Sequence, residues 1–134
     1  MTTTNIISDP LPQEMQQHTY SIMYEVEGSH WWFAGRRRII ESFVKHICSE
    51  LAHGMGVPPV TSPRILDIGC GTGANLEMLS QFGEAEGVDV SPDALAFCRQ
   101  RGLQNVRQGE VEHLPYEDAS FDLATALDVV EHLD

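Results

Sequence analysis

The sequence predicts an α/β fold built around a doubly wound parallel sheet. Three observations predict it. Ile65, Leu66 and Ile68 make residues 64–68 predominantly apolar, and this stretch runs directly into a loop with three glycines, as buried parallel strands do. Strand-like and helix-like segments then alternate along the chain, which is the pattern of βαβ units. Ser91 and Pro92 follow the second strand-like segment and form a strong helix-start signal.

Two helices are predicted before the sheet. Apolar residues recur at helical spacing from Met15 to Val26, and Gly28 is placed to end this helix. After three adjacent aromatics at residues 31–33, a broad apolar stripe predicts a second helix, formed by Ile39, Ile40, Phe43, Val44, Ile47 and Leu51. We therefore expect a helical lid or cap segment at residues 1–54, a linker at residues 55–63 and the core domain at residues 64–134.

The core is predicted to contain four strands and two helices. The strands are placed at residues 64–68, 85–90, 105–108 and 121–127. The helices are placed at residues 74–82 and from Pro92 to about Arg101, the second with Ser91 as its N-cap. Strands joined in this way lie parallel in one sheet, with right-handed crossovers.

Composition and charge exclude several classes of function. A chain of 134 residues suits one domain, and no stretch approaches the roughly 18 apolar residues of a membrane span. The net charge of −12 argues against a nucleic-acid partner, whose binders carry basic patches. Cys48, Cys70 and Cys98 are odd in number and widely spaced, which predicts reduced, buried thiols and neither a disulfide framework nor a metal site. No secretory signal is visible, so the expected location is cytoplasmic.

The predicted ligand site lies at the carboxyl ends of the strands, where ligands bind in such sheets. Asp67 precedes the glycines, Asp89 ends the second strand, and Glu110 follows the third. Asp89 lies about 20 residues after the glycine loop, where a carboxylate can accept hydrogen bonds from both ribose hydroxyls of a nucleoside. The pattern therefore predicts an adenosine-containing cofactor.

The glycine loop alone does not choose between such cofactors. Gly69, Gly71 and Ala74 also satisfy the dinucleotide pattern G-x-G-x-x-A, which leaves an NAD-binding protein open. Residues 108–134 contain eight acidic side chains and no lysine or arginine. An acidic crevice is compatible with a cationic cofactor and unfavourable for the pyrophosphate of a dinucleotide.

Three longer motifs separate these possibilities. DIGCGTG, GVDVSPDAL and GEVEHLPYEDASFDLATALDVVEHL occur in this order along the chain. Together they resemble the class I S-adenosylmethionine-dependent methyltransferases of type 11, especially those that act on small molecules. The resemblance covers residues 64–134 and implies a Rossmann-like methyltransferase fold. The sheet of that family has seven strands in the order 3-2-1-4-5-7-6, so about four are expected here and the chain is expected to be truncated at its carboxyl end.

The resemblance also implies roles for individual residues. Asp67 would help to hold the amino group of the cofactor's methionine part. Asp89 would accept the ribose hydroxyls, and Val90 would pack on the adenine. The backbone would approach the methionine and ribose parts at Gly69, Gly71 and Gly73.

Further positions follow from the later motifs. Glu110 and Val111 occupy the place beside the adenine edge where the family commonly has an aspartate and a small residue. Leu127 and Asp128, at the end of the fourth strand, would line the methionine side. His132 is a candidate general base, with packing at a helix start or solvent exposure as the alternative. No other catalytic residue is assigned.

The segment HWWFAGRRR at residues 30–38 resembles an amino-terminal HWWF-x-G-R element found in one subset of these methyltransferases. In that subset the element is part of a helical lid over the cofactor site. On this resemblance Arg36 would pair with the cofactor's carboxylate. The alternative is that Trp31, Trp32 and Phe33 pack internally while the arginines are solvated.

The predicted function is transfer of a methyl group from S-adenosylmethionine to a small-molecule acceptor. Because this cofactor carries its own activated methyl group, the protein needs mainly to hold donor and nucleophile in line. The alternatives are a fragment of an NAD-binding oxidoreductase and an S-adenosylmethionine-binding module without activity. Neither a nucleic acid nor a membrane is an expected partner. Self-association through the open edge of the fourth strand is expected, and the 134-residue chain alone is expected to be inactive.

Overall fold

The computed structural model describes residues 13–26, 31–54 and 58–127. Two helices, α1 (Gln13–Val26) and α2 (Trp31–His53), precede an alternation of strands and helices. This alternation consists of β1 (Arg64–Ile68), α3 (Ala74–Leu79), β2 (Glu84–Asp89), α4 (Pro92–Gln100), β3 (Val106–Gln108) and β4 (Leu123–Thr125). Every predicted helix and strand is present. Gly28, the predicted end of the first helix, lies outside the described residues.

The four strands form one parallel sheet in the order β3-β2-β1-β4. β1 is central, and its Leu66 pairs with Glu86 of β2 on one side and with Ala124 of β4 on the other. Ile65 and Leu66 are buried, as expected for a central strand that is covered on both faces. The order of the strands confirms the predicted Rossmann-like methyltransferase fold, and the parallel strands end at a common edge.

A small core holds the sheet and its helices together. The start of α4 follows the prediction, because the Ser91 hydroxyl accepts a hydrogen bond from the Ala94 N–H at 3.2 Å, with Pro92 in the first turn. The buried core includes Ile65, Leu76, Leu79, Val88, Leu95 and Cys98. These side chains come from β1, β2, α3 and α4, so the same contacts that stabilise the fold fix the positions of the strand ends.

α3 and β4 are several residues shorter than predicted, and the bounds of β2 and β3 differ from the predicted ones by one residue. α3 ends at Leu79 instead of residue 82, because the Gln81 and Phe82 N–H groups donate to carbonyls three residues back and form a tighter final turn. β4 covers only three of the predicted residues 121–127. Its partner β1 turns into the glycine loop after Ile68, so the ladder between them ends where Asp67 pairs with Thr125.

α2 differs from its prediction in where it begins and in how much of its apolar stripe is buried. The helix begins at Trp31, so the three adjacent aromatics lie in its first turn and not before it. Val44 is buried, whereas Ile39 and Phe43 are 63% and 66% exposed. The reason is that α2 packs against α3, and a single helix-helix contact covers only part of so broad a stripe.

α1 lies against α4, with the Tyr24 and Phe97 rings 5.1 Å apart between their centres. The two amino-terminal helices therefore contact different elements of the core, α1 on α4 and α2 on α3. Within the described ranges, no helix is long and apolar enough to cross a membrane.

Candidate functional site

The glycine loop between β1 and α3 has a backbone that only glycines adopt without strain. The φ angles of Gly69, Gly71 and Gly73 are 70°, 55° and 94°. The loop is fixed to the neighbouring strand, because the N–H groups of Gly69 and Cys70 both donate to the Val88 carbonyl, at 2.8 and 3.1 Å. The loop thus stands at the carboxyl end of β1, beside the end of β2.

Two of these glycines face different surroundings. A Cβ atom at Gly71 would meet no atom within 4 Å, so this part of the backbone borders open space. A Cβ atom at Gly73 would lie 2.7 Å from Leu103 Cδ1 and 3.0 Å from Cys98 Sγ. Gly71 is therefore placed for close approach by a ligand, whereas Gly73 allows the loop to pack on the core.

Asp89 ends β2 directly beside the loop. Its Oδ2 accepts a hydrogen bond from the Gly71 N–H at 2.9 Å, and its Oδ1 accepts one from the Ser91 N–H at 2.9 Å. The carboxylate is half-buried, and the next side chain, Val90, is 58% exposed. A half-buried carboxylate thus lies next to an exposed apolar side chain at the mouth of the sheet.

Asp67 lies at the same edge of the sheet, one strand further along. It is 2% exposed, and its Oδ1 accepts a hydrogen bond from the Thr125 hydroxyl at 2.8 Å. A buried carboxylate requires such a donor, because leaving it without partners is costly. The sequence analysis did not find Thr125, since this contact depends on the register between β1 and β4.

Arg36 reaches from α2 to the end of β4. Its Nη2 donates a hydrogen bond to the Leu127 carbonyl at 2.9 Å, across 91 positions of sequence. Leu127 itself is half-buried. The arginine is therefore anchored at the carboxyl edge of the sheet, where Asp67 and Thr125 also lie, and is not simply solvated.

Of the remaining predicted residues, two follow β3 and two lie outside the described residues. Glu110 is exposed, follows β3 and forms an isolated antiparallel bridge with His113. Val111 is half-buried. Asp128 and His132 lie outside the described residues, so their predicted roles have no structural account here.

Tyr20 is a residue that the sequence analysis missed. It lies on α1, and its half-buried hydroxyl interacts with Ser91 near the carboxylates of Asp89 and Asp93. Burial raises the pKa of Tyr20, the two negative charges raise it further, and the hydrogen bond with Ser91 lowers it. α1 therefore brings a neutral hydroxyl to the end of β2. Nothing in the local sequence signals this, because it results from how α1 docks.

Two thiols lie beneath the glycine loop. Cys70 Sγ and Cys98 Sγ are 3.9 Å apart, and the Cys98 thiol donates to the Gly71 carbonyl at 3.1 Å. The hydrogen bond with Cys98 and burial both raise the pKa of Cys70, so its thiol is neutral at pH 7. All three cysteines are free, as predicted, although Cys48 is only half-buried.

The comparisons with known proteins agree with this geometry. Residues 66–134 match a family described as a methyltransferase domain. The chain belongs to this family. The match covers all four strand ends, and it confirms the resemblance to class I S-adenosylmethionine-dependent methyltransferases.

Relatives of this methyltransferase domain include an O-methyltransferase named rstn1 from Aspergillus nomiae, which is 29% identical over 78% of this chain and 50% of its own length. One solved structure that is similar to this chain is an amino pentose methyltransferase from Micromonospora echinaspora with S-adenosylmethionine bound. It is 27% identical with a TM-score of 0.54, and the match covers 90% of this chain and 44% of that protein. A solved protein from Methanococcus maripaludis has a TM-score of 0.65 at 20% identity, over 94% of this chain and 56% of its own, and shows the fold alone. The chain thus spans about half the length of these relatives.

Proposed function

We propose that the chain binds S-adenosylmethionine at the carboxyl ends of β1 and β2, as the cofactor-binding part of an enzyme that methylates a small molecule. The observation that carries this proposal is the position of Asp89. Its carboxylate ends β2 within 2.9 Å of the glycine loop, beside the exposed side chain of Val90. This arrangement suits a ribose with an adenine next to it.

The residues at this end of the crevice fit the nucleoside part of the cofactor. Asp89 would accept the ribose hydroxyls, and Val90 would pack on the adenine face. Gly71 would let the backbone approach closely, which is supported by the open space beside it. Glu110 and Val111, after β3, would lie at the adenine edge. Tyr20 on α1 would cover the ribose from the lid side.

The other end of the crevice fits the methionine part. Asp67 would hold the amino group, with the Thr125 hydroxyl keeping the carboxylate oriented. Arg36 would bind the carboxylate group of the cofactor. Its contact with the Leu127 carbonyl supports this role, because it places the guanidinium at the carboxyl edge of the sheet. Asp128 remains a candidate on the resemblance alone.

Charge favours this cofactor over a dinucleotide. When bound, S-adenosylmethionine supplies an activated methyl group on a cationic sulfonium. Asp67 and Asp89 place two carboxylates at neighbouring strand ends, which attract a cation and repel a pyrophosphate. The chain's own residues would orient the methyl group and exclude water from one side of it. Orientation of this kind provides most of the rate enhancement in such a transfer.

Residues 1–54 are proposed to act as a lid over this site. The proposal is supported by the Arg36 contact at the end of β4 and by the placement of Tyr20 near Asp89. Two aromatics of the HWWF segment, Trp31 and Trp32, are exposed in the first turn of α2. We propose that they contact the cofactor or the acceptor when the lid closes.

The proposal also covers the methyl acceptor, self-association and the location of the protein. The acceptor is a small molecule. Within the described residues the outer edge of β4 pairs with no strand, which supports self-association through that edge. A cytoplasmic location is supported by Cys70 and Cys98, which lie 3.9 Å apart as free thiols.

Titration calorimetry with S-adenosylmethionine, S-adenosylhomocysteine and NAD tests the cofactor. We expect binding of both sulfur compounds and no binding of NAD. Binding of NAD with no response to either sulfur compound would overturn the proposal. Activity and self-association are tested by assaying the chain against a panel of small-molecule acceptors, with sedimentation of the same sample. A monomeric sample would contradict the proposed self-association through β4.

A further inference from the structure

Arg101 follows α4 and lies at the junction of three other parts of the chain. Its side chain is 13% exposed. Nε donates a hydrogen bond to the Thr72 carbonyl of the glycine loop at 2.8 Å, and Nη2 donates to the Tyr24 carbonyl of α1 at 3.4 Å. The guanidinium carbon lies 4.6 Å from the centre of the Tyr24 ring. Nη1 lies 3.7 Å from the Glu77 carboxylate of α3. One side chain therefore joins α1, α3 and the glycine loop.

These contacts differ in strength. A guanidinium that is largely buried depends on its acceptors, and hydrogen bonds from a charged donor are stronger than neutral ones. The contact with Glu77 contributes little, because that carboxylate is 60% exposed and 3.7 Å away. The stacking on Tyr24 is a cation–π contact in a partly desolvated place, where such contacts are strongest. Arg101 is therefore held mainly by the loop on one side and by α1 on the other.

The carbonyl that Arg101 holds belongs to a segment with unusual rotational freedom. Thr72 lies between Gly71 and Gly73, both with positive φ angles. One turn earlier on α4, the Cys98 thiol donates to the Gly71 carbonyl at 3.1 Å. α4 thus holds two consecutive carbonyls of the loop. Because the C=O and N–H of a trans peptide point in opposite directions, holding a carbonyl also fixes the direction of the N–H in the same peptide.

We propose that Arg101 is a positioning residue that couples the docking of α1 to the conformation of the glycine loop, and thereby to cofactor affinity. With α1 docked, the Tyr24 ring and carbonyl keep the guanidinium in the orientation that reaches Thr72. With α1 detached, the guanidinium loses both and the loop carbonyl loses its restraint. The coupling is reciprocal, so binding that orders the loop stabilises docked α1 by the same factor. Only the cofactor part of this inference rests on the proposed function.

Two single variants and their combination test the coupling. Arg101→Met keeps the length of the side chain but removes its donors, and Tyr24→Leu removes the ring while leaving its carbonyl. The matched control is Arg107→Met, because Arg107 also stacks on a tyrosine ring, at 5.2 Å, and donates to a carbonyl, that of Pro115 at 3.1 Å. It lies within β3, where its described side-chain contacts are with Tyr116, Pro115 and Glu86, and none of these residues belongs to α1 or the glycine loop.

Hydrogen exchange of residues 13–26 and 69–73 in the ligand-free protein is the first measurement. We expect exchange to rise in both segments in each single variant and to stay unchanged in Arg107→Met. In the double variant we expect no further rise in residues 69–73, whereas α1 also loses the contact between Tyr24 and Phe97. Affinity for S-adenosylhomocysteine is the second. It should fall about tenfold in Arg101→Met and about threefold in Tyr24→Leu, since coupling energies between contacting residues are of this size.

The decisive variant is Tyr24→Leu, because this side chain contacts no part of the glycine loop that would explain a direct effect. If hydrogen exchange in the Tyr24→Leu variant rises in α1 alone, while exchange of the glycine loop and affinity for S-adenosylhomocysteine stay unchanged, the coupling is refuted. The coupling is also refuted if the two substitutions have additive effects on the exchange of residues 69–73 or on affinity. Should Arg101→Met not fold, Arg101→Lys replaces it, because a lysine keeps the charge but lacks the fork that reaches two carbonyls. If the unaltered chain binds no S-adenosylhomocysteine, the proposed function fails while the exchange data still decide the coupling.

Discussion

Replacing Asp89 by alanine is the most direct perturbation of the proposed cofactor site. In the ligand-free protein this removes two acceptors of backbone N–H groups, each at 2.9 Å. Hydrogen bonds to a charged group contribute about 1.5–3 kcal/mol each when removed, and the half-buried position places Asp89 towards the lower end. We therefore expect the free energy of unfolding to fall by about 2–3 kcal/mol. If the same carboxylate also accepts the ribose hydroxyls, affinity should fall by a further about 1–3 kcal/mol, or roughly 5- to 150-fold in Kd.

Asp122→Ala separates these two effects. Asp122 Oδ2 accepts a hydrogen bond from the Arg64 N–H at 2.8 Å, at the opposite end of the sheet. This control removes the same charge and a comparable backbone contact, far from the glycine loop. Calorimetric titration of S-adenosylhomocysteine and urea unfolding are measured on both variants. Affinity lost only in Asp89→Ala supports the assignment. Unchanged affinity in Asp89→Ala, with stability reduced as in the control, would refute the reasoning.

Three further predictions follow from single contacts. Thr125→Val should lower the free energy of unfolding by about 1–3 kcal/mol and weaken cofactor binding, because the buried Asp67 carboxylate loses a donor. Thr125→Ser keeps the hydroxyl, so its stability in urea unfolding and its cofactor affinity in titration should match those of the unaltered protein. Gly71→Ala and Gly102→Ala should each lower the free energy of unfolding by about 1–2 kcal/mol, since both glycines have positive φ angles and open surroundings. Only Gly71→Ala should also lower cofactor affinity. Alkylation of the native protein should modify Cys48 first, with the other two thiols reacting only after unfolding, as mass spectrometry of digested samples would show.

The sequence predicted the elements around β1 well because their signals are local. A strand buried on both faces is rich in apolar residues, and with the glycines that follow it Arg64–Ile68 was located to the residue. The start of α4 was equally clear, since Ser91 and Pro92 carry the capping chemistry in their own side chains. Asp89 could be placed near the glycine loop for the same reason, as it ends a strand whose neighbour in the sheet is β1.

What the sequence could not predict depends on contacts between distant segments. Thr125 reaches Asp67 only because β4 pairs with β1 in one particular register. Arg101 looks like an ordinary basic residue at a helix end, where such residues are common and exposed. Its role became visible only once α1 was found on α4.

Asp89 can serve the fold and a ligand at the same time, and this explains why a carboxylate suits the position. Each carboxylate oxygen has two lone pairs, so about four donors can be accepted in all. The N–H groups of Gly71 and Ser91 use one on each oxygen, which leaves one on each for a pair of ribose hydroxyls. An asparagine would offer a single oxygen and present its NH2 group to one of the two backbone donors. Ligand binding therefore need not break the contacts that hold the loop, and the loop is already formed when the cofactor arrives.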